Sequence, residues 1–350
     1  MTSRTRLEQR ARALGFCALG VASAVPGDEG ADLRGFLAEG RQAGMGWLAR
    51  DPGLRADPGR LLPGIRSVIV VGARVPPSDP TGGLPPLHGR LARYARGLDY
   101  HDLLGPRVRE LAASLGDPAA VAHVDTGPVM EKVWAQRAGL GWIGRQSQLI
   151  SRRFGPWLLL GVVLTRVALE PDEPHPDHCG RCRRCVDACP TAAVAVTADG
   201  RARFDARRCR SYWTIEHRGP VPVEVRPTLG RALFGCDACL DACPWTRFAR
   251  QPGDAPGLPE LEPTMPASLD ATTILALDGP TFQRRFGATP LARARLRGLR
   301  RNAAQVLGNA GDPAAVAALE RCVRGTEDAV VRETAEWAAL TIGPDVTCPA

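Results

Sequence analysis

The chain has 350 residues, which is enough for two or three domains with a substantial hydrophobic core. Its 45 Lys and Arg against 37 Asp and Glu give a net charge of +8, which is compatible with a nucleic-acid partner but does not require one. No stretch approaches the roughly twenty apolar residues that a membrane-spanning helix needs. The apolar run of residues 13–25 resembles a signal peptide, but Gly15 and Gly20 interrupt it, and a helix running into a short strand explains it equally well. We expect a soluble protein with no membrane association.

Residues 1–170 predict an α/β domain. Three short apolar runs are typical of buried strands: residues 67–71, 121–124 and 157–164. Residues 103–115 have helical periodicity, and a proline-rich loop covers residues 76–86. Asp125-Thr-Gly-Pro128 is predicted to open a helix that runs through Ala138, with Pro128 in its first turn.

Asp125 has two interpretations at this boundary between strand and helix. As a helix N-cap it would accept backbone hydrogen bonds, and its pKa would fall. A general acid needs the opposite, a pKa raised by burial or by an apolar cofactor. From the residues alone, capping is the commoner use of an aspartate at such a position.

The segment Gly139-Leu-Gly-Trp-Ile-Gly144 matches the G-x-G-x-x-G pattern of dinucleotide-binding sites. It follows a helical segment instead of a strand, and no helix opens behind it, so we interpret it as a turn between a helix and the next strand. The loop of residues 93–101 is rich in polar and aromatic side chains. It either lines a pocket or forms a solvated surface.

Eight of the eleven cysteines fall between residues 179 and 243, in the ligand pattern of two [4Fe–4S] clusters. The first run is Cys179-x2-Cys182-x2-Cys185-x3-Cys189-Pro190, and the second is Cys236-x2-Cys239-x3-Cys243-Pro244, with Cys209 upstream. The fourth cysteine of each run ligates the cluster of the other run in this arrangement. The expected ligand sets are Cys179, Cys182, Cys185 and Cys243 for one cluster, and Cys189, Cys209, Cys236 and Cys239 for the other.

Structural zinc and disulfide bonds are the alternatives for these cysteines. Zinc sites pair C-x2-C knuckles two by two, unlike the triple run here, although His175 and His178 would be able to complete a zinc shell. Disulfides need an oxidising compartment and more room than the crowded runs leave. Cluster assembly favours the reducing cytoplasm, where we expect the protein to be. Cys17, Cys322 and Cys348 are isolated and are expected to be incidental thiols.

The cluster segment is assigned to residues 171–250, in which Ser211-Tyr-Trp-Thr214 follows Cys209 and is expected to pack around a cluster. A linker rich in Pro and Gly and then helices occupy residues 251–350. Arg300-x2-Ala303 with Gly311 recurs as Arg332-x2-Ala335 with Gly343, a period of 32 residues. Two stacked helical units of this kind resemble HEAT-like repeats, which usually make binding surfaces. A plain helical bundle that caps the core is the alternative.

Together these motifs resemble the epoxyqueuosine reductase family, cobalamin-dependent iron–sulfur enzymes of queuosine biosynthesis. The resemblance rests on the eight cysteines and on four motifs: Arg93-Tyr-Ala-x-Gly-x-Asp-Tyr-His101, Val124-Asp-Thr-Gly-Pro-Val-x-Glu131, Ala138-Gly-Leu-Gly-Trp-Ile-Gly144 and Cys209-x-Ser-Tyr-x-Thr-Ile-Glu-His-Arg218. It covers nearly the whole chain in the right order. The family usually continues Gly-Trp-Ile-Gly with Lys-Asn, whereas this chain has Arg145-Gln146.

The resemblance implies an α/β N-terminal cobalamin-binding domain, a ferredoxin-like domain with two [4Fe–4S] clusters, and an all-α C-terminal domain of HEAT-like repeats that binds tRNA. It implies that epoxyqueuosine at the wobble position of tRNA is reduced to queuosine, with electrons passing through the clusters to cobalamin. Asp125 matches the proton donor of the family, and desolvation against the cofactor should let it hold its proton near neutral pH. The candidates for cobalamin contact are Arg55, Tyr94, Asp125, Ser151, Ser211 and Trp213.

The implied partners are the anticodon arm of tRNA and an external low-potential reductant such as flavodoxin or ferredoxin; we expect a monomer. Phosphate contacts are expected from Arg293, Arg297, Arg300 or Arg301. Two other classes remain open. A reductive-dehalogenase-like enzyme shares the cobalamin and clusters, but is typically exported with a twin-arginine signal and lacks the repeat tail. A non-enzymatic electron carrier explains the clusters but not the Asp125 motif.

Overall fold

The computed structural model describes residues 3–76, 83–198, 200–249, 253 and 255–343. The strands are β1 (Ala18–Ser23), β2 (Ser67–Arg74), β3 (His88–Leu91), β4 (Val121–His123), β5 (Trp142–Ile143), β6 (Leu149–Ile150), β7 (Leu158–Thr165), β8 (Val194–Val196), β9 (Ala202–Phe204), β10 (Ala232–Phe234) and β11 (Ser268–Asp270). The α-helices are α1 (Ser3–Ala13), α2 (Glu29–Ala38), α3 (Pro52–Ala56), α4 (Tyr100–Ala113), α5 (Glu131–Arg137), α6 (Arg184–Asp187), α7 (Arg226–Leu229), α8 (Ala238–Asp241), α9 (Thr246–Ala249), α10 (Ala271–Leu275), α11 (Gly279–Phe286), α12 (Arg295–Ala310), α13 (Val316–Gly325) and α14 (Ala329–Ile342).

The chain forms two compact units, each assembled from three segments. The first unit comprises Met1–Pro77, Asp99–Ala206 and Ala238–Glu262, and the second comprises Ser78–Leu98, Arg207–Asp237 and Pro263–Ala350. The division into domains at residues 1–170, 171–250 and 251–350 stays a prediction.

A four-stranded antiparallel sheet in the order β1-β2-β7-β4 organises the first unit. Both faces of β2 are buried, and its side chains alternate between two hydrophobic cores as the pleat requires. Ile69 and Val71 join the core that contains Leu104 and Val108 of α4. Val68 and Val70 join the opposite core, which contains Trp134 of α5. The predicted α/β character of this region is confirmed.

Helix α12 is at the centre of the core of the second unit. Its buried side chains, which include Leu299, Ala303 and Val306, share one hydrophobic cluster with residues of α10, α13 and α14. Helix α12 ends at Gly311, whose φ of 65° is in the left-handed region that favours glycine at a helix C-terminus. A three-stranded sheet in the order β10-β3-β11 belongs to the same unit.

The structure confirms most of the elements predicted from the sequence and corrects one of them. The predicted strands correspond to β2, β4 and β7, and the apolar N-terminal run is the end of α1 followed by β1. The predicted helix start at residues 125–128 is wrong, because α5 begins at Glu131. Among the residues described, no helix has the length and apolar character needed to cross a bilayer. Cys348 and part of the proline-rich loop lie outside the described residues.

Candidate active site and cluster ligands

Asp125 lies on an irregular loop that joins β4 to α5. Its φ of 57° is in the left-handed region, where a non-glycine residue costs about 1–2 kcal/mol and Asp is among the side chains that tolerate it. Helix α5 begins several residues later, with Met130 as its N-cap and no side-chain cap. The capping interpretation of Asp125 is therefore wrong. Its side chain is exposed and does not cap the helix.

His101 connects Asp125 to a second aspartate. Its Nε2 lies 3.1 Å from Oδ2 of Asp125, and its Nδ1 lies 2.7 Å from Oδ1 of Asp99. Asp99 is fixed as the N-cap of α4, where Oδ1 also accepts a hydrogen bond of 3.0 Å from the His101 backbone. The ring of Tyr100 stacks on the imidazole at 4.1 Å. Because carboxylates only accept hydrogen bonds, this arrangement favours an imidazolium that donates from both nitrogens.

The proton of this group resides on the histidine. Partial burial lowers the pKa of His101, but hydrogen bonds to Asp125 and Asp99 outweigh it and raise that pKa to about 9. The hydrogen bond from His101 lowers the pKa of Asp125 below its usual value, against the opposing effect of burial. The expectation that Asp125 itself holds a proton near neutral pH is therefore not met in this arrangement. At neutral pH the pair is a carboxylate and an imidazolium.

Three further charged side chains surround the Asp125 loop. Arg55 donates to the carbonyl of Gly127 at 3.4 Å, which places this cobalamin candidate beside the loop. Burial raises the pKa of Glu131 to about 7, and the nearby negative charge of Asp125 adds to the effect. Burial lowers the pKa of Lys132, whose Nζ donates to the carbonyl of Ser147 at 3.1 Å. The sequence predicted no role for Glu131, Lys132 or His101, although His101 and Glu131 are the last residues of two of the family motifs.

The first predicted ligand set comes together in the first unit. The four thiols of Cys179, Cys182, Cys185 and Cys243 line one small cavity with Trp245. The indole nitrogen of Trp142 donates to Sγ of Cys179 at 3.3 Å. Burial raises the pKa of Cys243 to about 11, and the neighbouring thiols contribute to the increase. Four converging thiols in an apolar enclosure are the donor set that a [4Fe–4S] cluster requires.

The second ligand set stays a prediction. Cys189 and Cys239 belong to the first unit, and Cys209 and Cys236 belong to the second. His178 lines the cavity of the first set, and its ring packs against Trp142 at 5.1 Å between centroids.

The remaining cobalamin candidates have identifiable surroundings within their own units. Ser151 is buried, and its hydroxyl accepts from the backbone N–H groups of Arg153 and Phe154 at 3.3 and 3.4 Å. Tyr94 packs on Phe234 with ring centroids 6.4 Å apart. Ser211 immediately precedes the π-helical turn Tyr212–Glu216, in which the indole of Trp213 donates to the carbonyl of Arg207 at 2.8 Å. The roles of these four candidates as cobalamin contacts stay predictions.

The four arginines predicted to contact phosphates differ in their exposure. Arg293 and Arg297 are exposed and form ion pairs with Glu216 at 2.9 Å and Asp328 at 2.5 Å. Arg300 donates to the carbonyl of Leu275.

Arg301 is only 1% exposed and donates to the backbone carbonyls of Trp213, His217 and Gly219 at 2.7 to 2.9 Å. The prediction that Arg301 contacts phosphate is therefore wrong. It stabilises the turn that follows Cys209.

Comparison with known proteins assigns the chain to a family. Residues 55–126 match the family model described as epoxyqueuosine reductase QueG, DUF1730, and residues 178–246 match a 4Fe-4S double cluster binding domain. The epoxyqueuosine reductase of Gloeobacter violaceus is 41% identical over 89% of this chain and 98% of its own length. The one from Xanthomonas campestris is 39% identical over 97% of this chain and 96% of its own. The chain belongs to the epoxyqueuosine reductase family.

Solved structures of the family have the same fold. The Bacillus subtilis epoxyqueuosine reductase, with its catalytic aspartate loop swung out of the active site, is 26% identical with a TM-score of 0.85, over 97% of this chain and 90% of that one. An epoxyqueuosine reductase bound to an epoxyqueuosine-modified tyrosine tRNA stem loop is 25% identical with a TM-score of 0.81, over 97% of this chain and 98% of that one. The matched region of residues 55–126 contains Arg55, Asp99, His101 and Asp125.

Proposed function

We propose that this protein reduces epoxyqueuosine in tRNA to queuosine. The observation that carries the proposal is the hydrogen-bonded series Asp99–His101–Asp125, which lies inside the region that matches the epoxyqueuosine reductase family. A solved relative of this family has a catalytic aspartate loop, and Asp125 occupies a loop whose contacts include the hydrogen bonds from His101 and Arg55. A non-enzymatic electron carrier has no need of such an acid–base group.

The cofactors are two [4Fe–4S] clusters and cobalamin. When bound, they supply the low-potential electrons and the cobalt centre that acts on the epoxide. The cavity of Cys179, Cys182, Cys185 and Cys243 fits one cluster, and Cys189, Cys209, Cys236 and Cys239 would hold the other. Arg55 and Asp125 would contact cobalamin in the first unit, and Tyr94, Ser151, Ser211 and Trp213 complete the proposed contact set.

The residues of the protein hold and transfer the protons of the reaction. Removal of the epoxide oxygen as water takes two electrons and two protons, so a proton donor must stand beside the departing oxygen. Asp125 is exposed and hydrogen-bonded to a protonated imidazole, so it can pass on a proton from His101 as negative charge develops on that oxygen. Asp99 orients the imidazole and compensates its positive charge. Asp125 thus acts as the donor, and His101 replenishes it.

The substrate is the anticodon arm of tRNA, as the stem loop bound to a solved relative suggests. The modified base has to leave its stack to reach the reacting groups of the site. In the second unit, a cavity of about 710 Å³ is lined by Arg218, Arg295, Arg297 and Arg300, and we propose that these side chains contact phosphates. The helices around it correspond to the proposed HEAT-like domain. An external low-potential reductant and a monomeric state complete the proposal.

The test is anaerobic turnover of epoxyqueuosine-containing tRNA with cobalamin and a low-potential reductant, followed by mass analysis of the nucleosides. Queuosine should form only when tRNA, cobalamin and reductant are all present. Absence of queuosine from protein with both clusters and cobalamin loaded would refute the proposed function. Binding of the stem loop should weaken steeply with salt, and each arginine replaced by alanine should reduce the slope of log K against log salt by about 0.7 to 0.9. An affinity that hardly changes with salt would refute the phosphate contacts.

A further inference from the structure

The cavity lined by Cys179, Cys182, Cys185 and Cys243, which is the proposed site of the first cluster, is shielded unevenly from solvent. Cys185 and Cys243 are buried, whereas Cys179 and Cys182 are partly exposed. The loop between these two exposed ligands is held by Asp177, whose carboxylate accepts from the backbone of Cys179 at 2.8 Å. The partly exposed thiols therefore make this cluster accessible to an external electron donor at the loop of residues 179–184.

This loop presents a cluster of unpaired cations. Arg181, Arg183 and Arg184 are all exposed, and among the described residues none of them has an ion pair or a hydrogen bond to its side chain. Some exposed arginines elsewhere in the first unit are paired, as Arg60 is with Asp51 and Arg203 is with Glu39. Others, such as Arg6, Arg50 and Arg109, are exposed but far apart in the sequence, whereas the three arginines of this loop fall within four consecutive residues.

Further charges flank the three arginines. Arg145 donates to the carbonyl of Gly180 and to that of Gly200, the latter at 2.9 Å, which brings a fourth guanidinium to the same loop. Asp187 is the exposed acid of the adjoining helix α6. The surface beside the exposed ligands therefore has a positive excess.

We propose that Arg181, Arg183 and Arg184 form the docking surface for a small acidic electron-transfer protein that delivers electrons to the first cluster. The inference rests on the proposed function, which requires an external reductant. A reductant protein with an acidic rim around its redox group would be steered to this loop by charge, and would meet it through a small, short-lived interface. Arginine suits this use because it is always charged and pairs with carboxylates through two nitrogens.

Two other uses of these arginines make different predictions. If they only offset the negative charge of the cluster, their loss would shift its reduction potential and slow reduction by every donor. If they bind RNA, their loss would weaken stem-loop binding and leave reduction unchanged. The donor-dependence of the reduction rate separates both uses from a docking surface.

The experiment compares the triple variant R181E/R183E/R184E with wild-type protein that carries both clusters, without tRNA or cobalamin. The loss of visible cluster absorbance is followed in a stopped-flow instrument after mixing with reduced flavodoxin, an acidic protein, or with reduced methyl viologen, a small cation. We expect reduction by flavodoxin to slow about tenfold or more at low salt, and the difference to shrink as ionic strength rises. Reduction by the viologen should not slow.

The matched control is R6E/R50E/R109E, which makes the same change in net charge at exposed arginines of the first unit. The clusters of this control should be reduced by both donors at nearly the wild-type rate. The neutral variant R181Q/R183Q/R184Q provides a second test if charge reversal lowers iron content.

An unchanged flavodoxin rate, an equal loss with both donors, or an equal loss in the control would overturn the docking surface. The stopped-flow experiment contains neither tRNA nor cobalamin. Its outcome therefore does not decide whether the protein reduces epoxyqueuosine, which the turnover experiment tests separately.

Discussion

The imidazole Nε2 of His101 lies 3.1 Å from Oδ2 of Asp125, although the two residues are 24 positions apart and belong to different elements. Asp99 holds the other ring nitrogen at 2.7 Å, so the imidazole is oriented from both sides. The loop that carries Asp125 is thereby connected to the N-terminus of α4. We expect the Asp125 carboxylate to turn toward a substrate when its charged hydrogen bond to His101 changes.

Asp125→Asn should lower turnover by about 10²- to 10⁴-fold, the range associated with loss of a positioned proton donor. Asn tolerates the left-handed backbone of this position better than Ala does, so the variant removes the acid with little change in the loop. Turnover of epoxyqueuosine-containing tRNA is measured together with iron content and cobalamin binding, which should both remain. Asp102→Asn alters an exposed carboxylate in the first turn of α4 and should retain activity. Full activity of Asp125→Asn would rule out the assignment.

His101→Gln should lower turnover about 10²-fold and alter its pH dependence. In the wild type, turnover should decline as pH rises through about 9, where His101 loses its proton. That decline should disappear in the variant, because no group with this pKa remains between Asp99 and Asp125. His88→Gln, a substitution in the second unit, should keep the wild-type profile. If turnover of His101→Gln still declined near pH 9, the decline would be caused by the titration of another group.

The same titration should affect stability in a defined direction. The pKa of His101 is raised above its ordinary value of 6.5, so its ion pairs stabilise the folded state fully below pH 6.5 and progressively less up to about 9. The lowered pKa values of Asp99 and Asp125 contribute stability that is fully present above the usual pKa of aspartate and is lost as the pH falls below it. Urea unfolding of the wild type against His101→Gln should therefore show a difference that is largest below pH 6.5 and small above pH 9.

Local patterns in the sequence predicted the elements but not the contacts that join distant residues. Strands β2 and β7 were predictable because they are continuous apolar runs buried on both faces. The helix start at Asp125 was mispredicted, because the left-handed backbone of this residue turns the chain before α5 begins. His101 received no role, because its partnership with Asp125 depends on the packing of α4 against the sheet. No sequence period reveals such a contact.

Arg301→Met should lower the free energy of unfolding by about 2–4 kcal/mol, because backbone carbonyls lose a buried donor. The midpoint of urea unfolding measures the change. Arg324→Met removes only an exposed pair with Glu320 and should cost less than about 0.5 kcal/mol. Because Arg301 is buried, the salt dependence of stem-loop binding should be the same as in the wild type. A reduced salt slope at unchanged stability would instead support the phosphate contact expected from the sequence.

Cys243→Ala tests whether this residue, from the second cysteine run, ligates the cluster of the first run. Cys243 shares a cavity with Cys179, Cys182 and Cys185, so its loss should damage that cluster alone. The double variant Cys182→Ala/Cys243→Ala should then lose no more iron than Cys182→Ala does, because both changes affect one cluster. Cys322→Ala is the control, since Cys322 is equally buried in α13 and should leave the iron content unchanged. If each run instead held its own cluster, the double variant would lose iron from both, and iron analysis with electron paramagnetic resonance would show the loss of two signals.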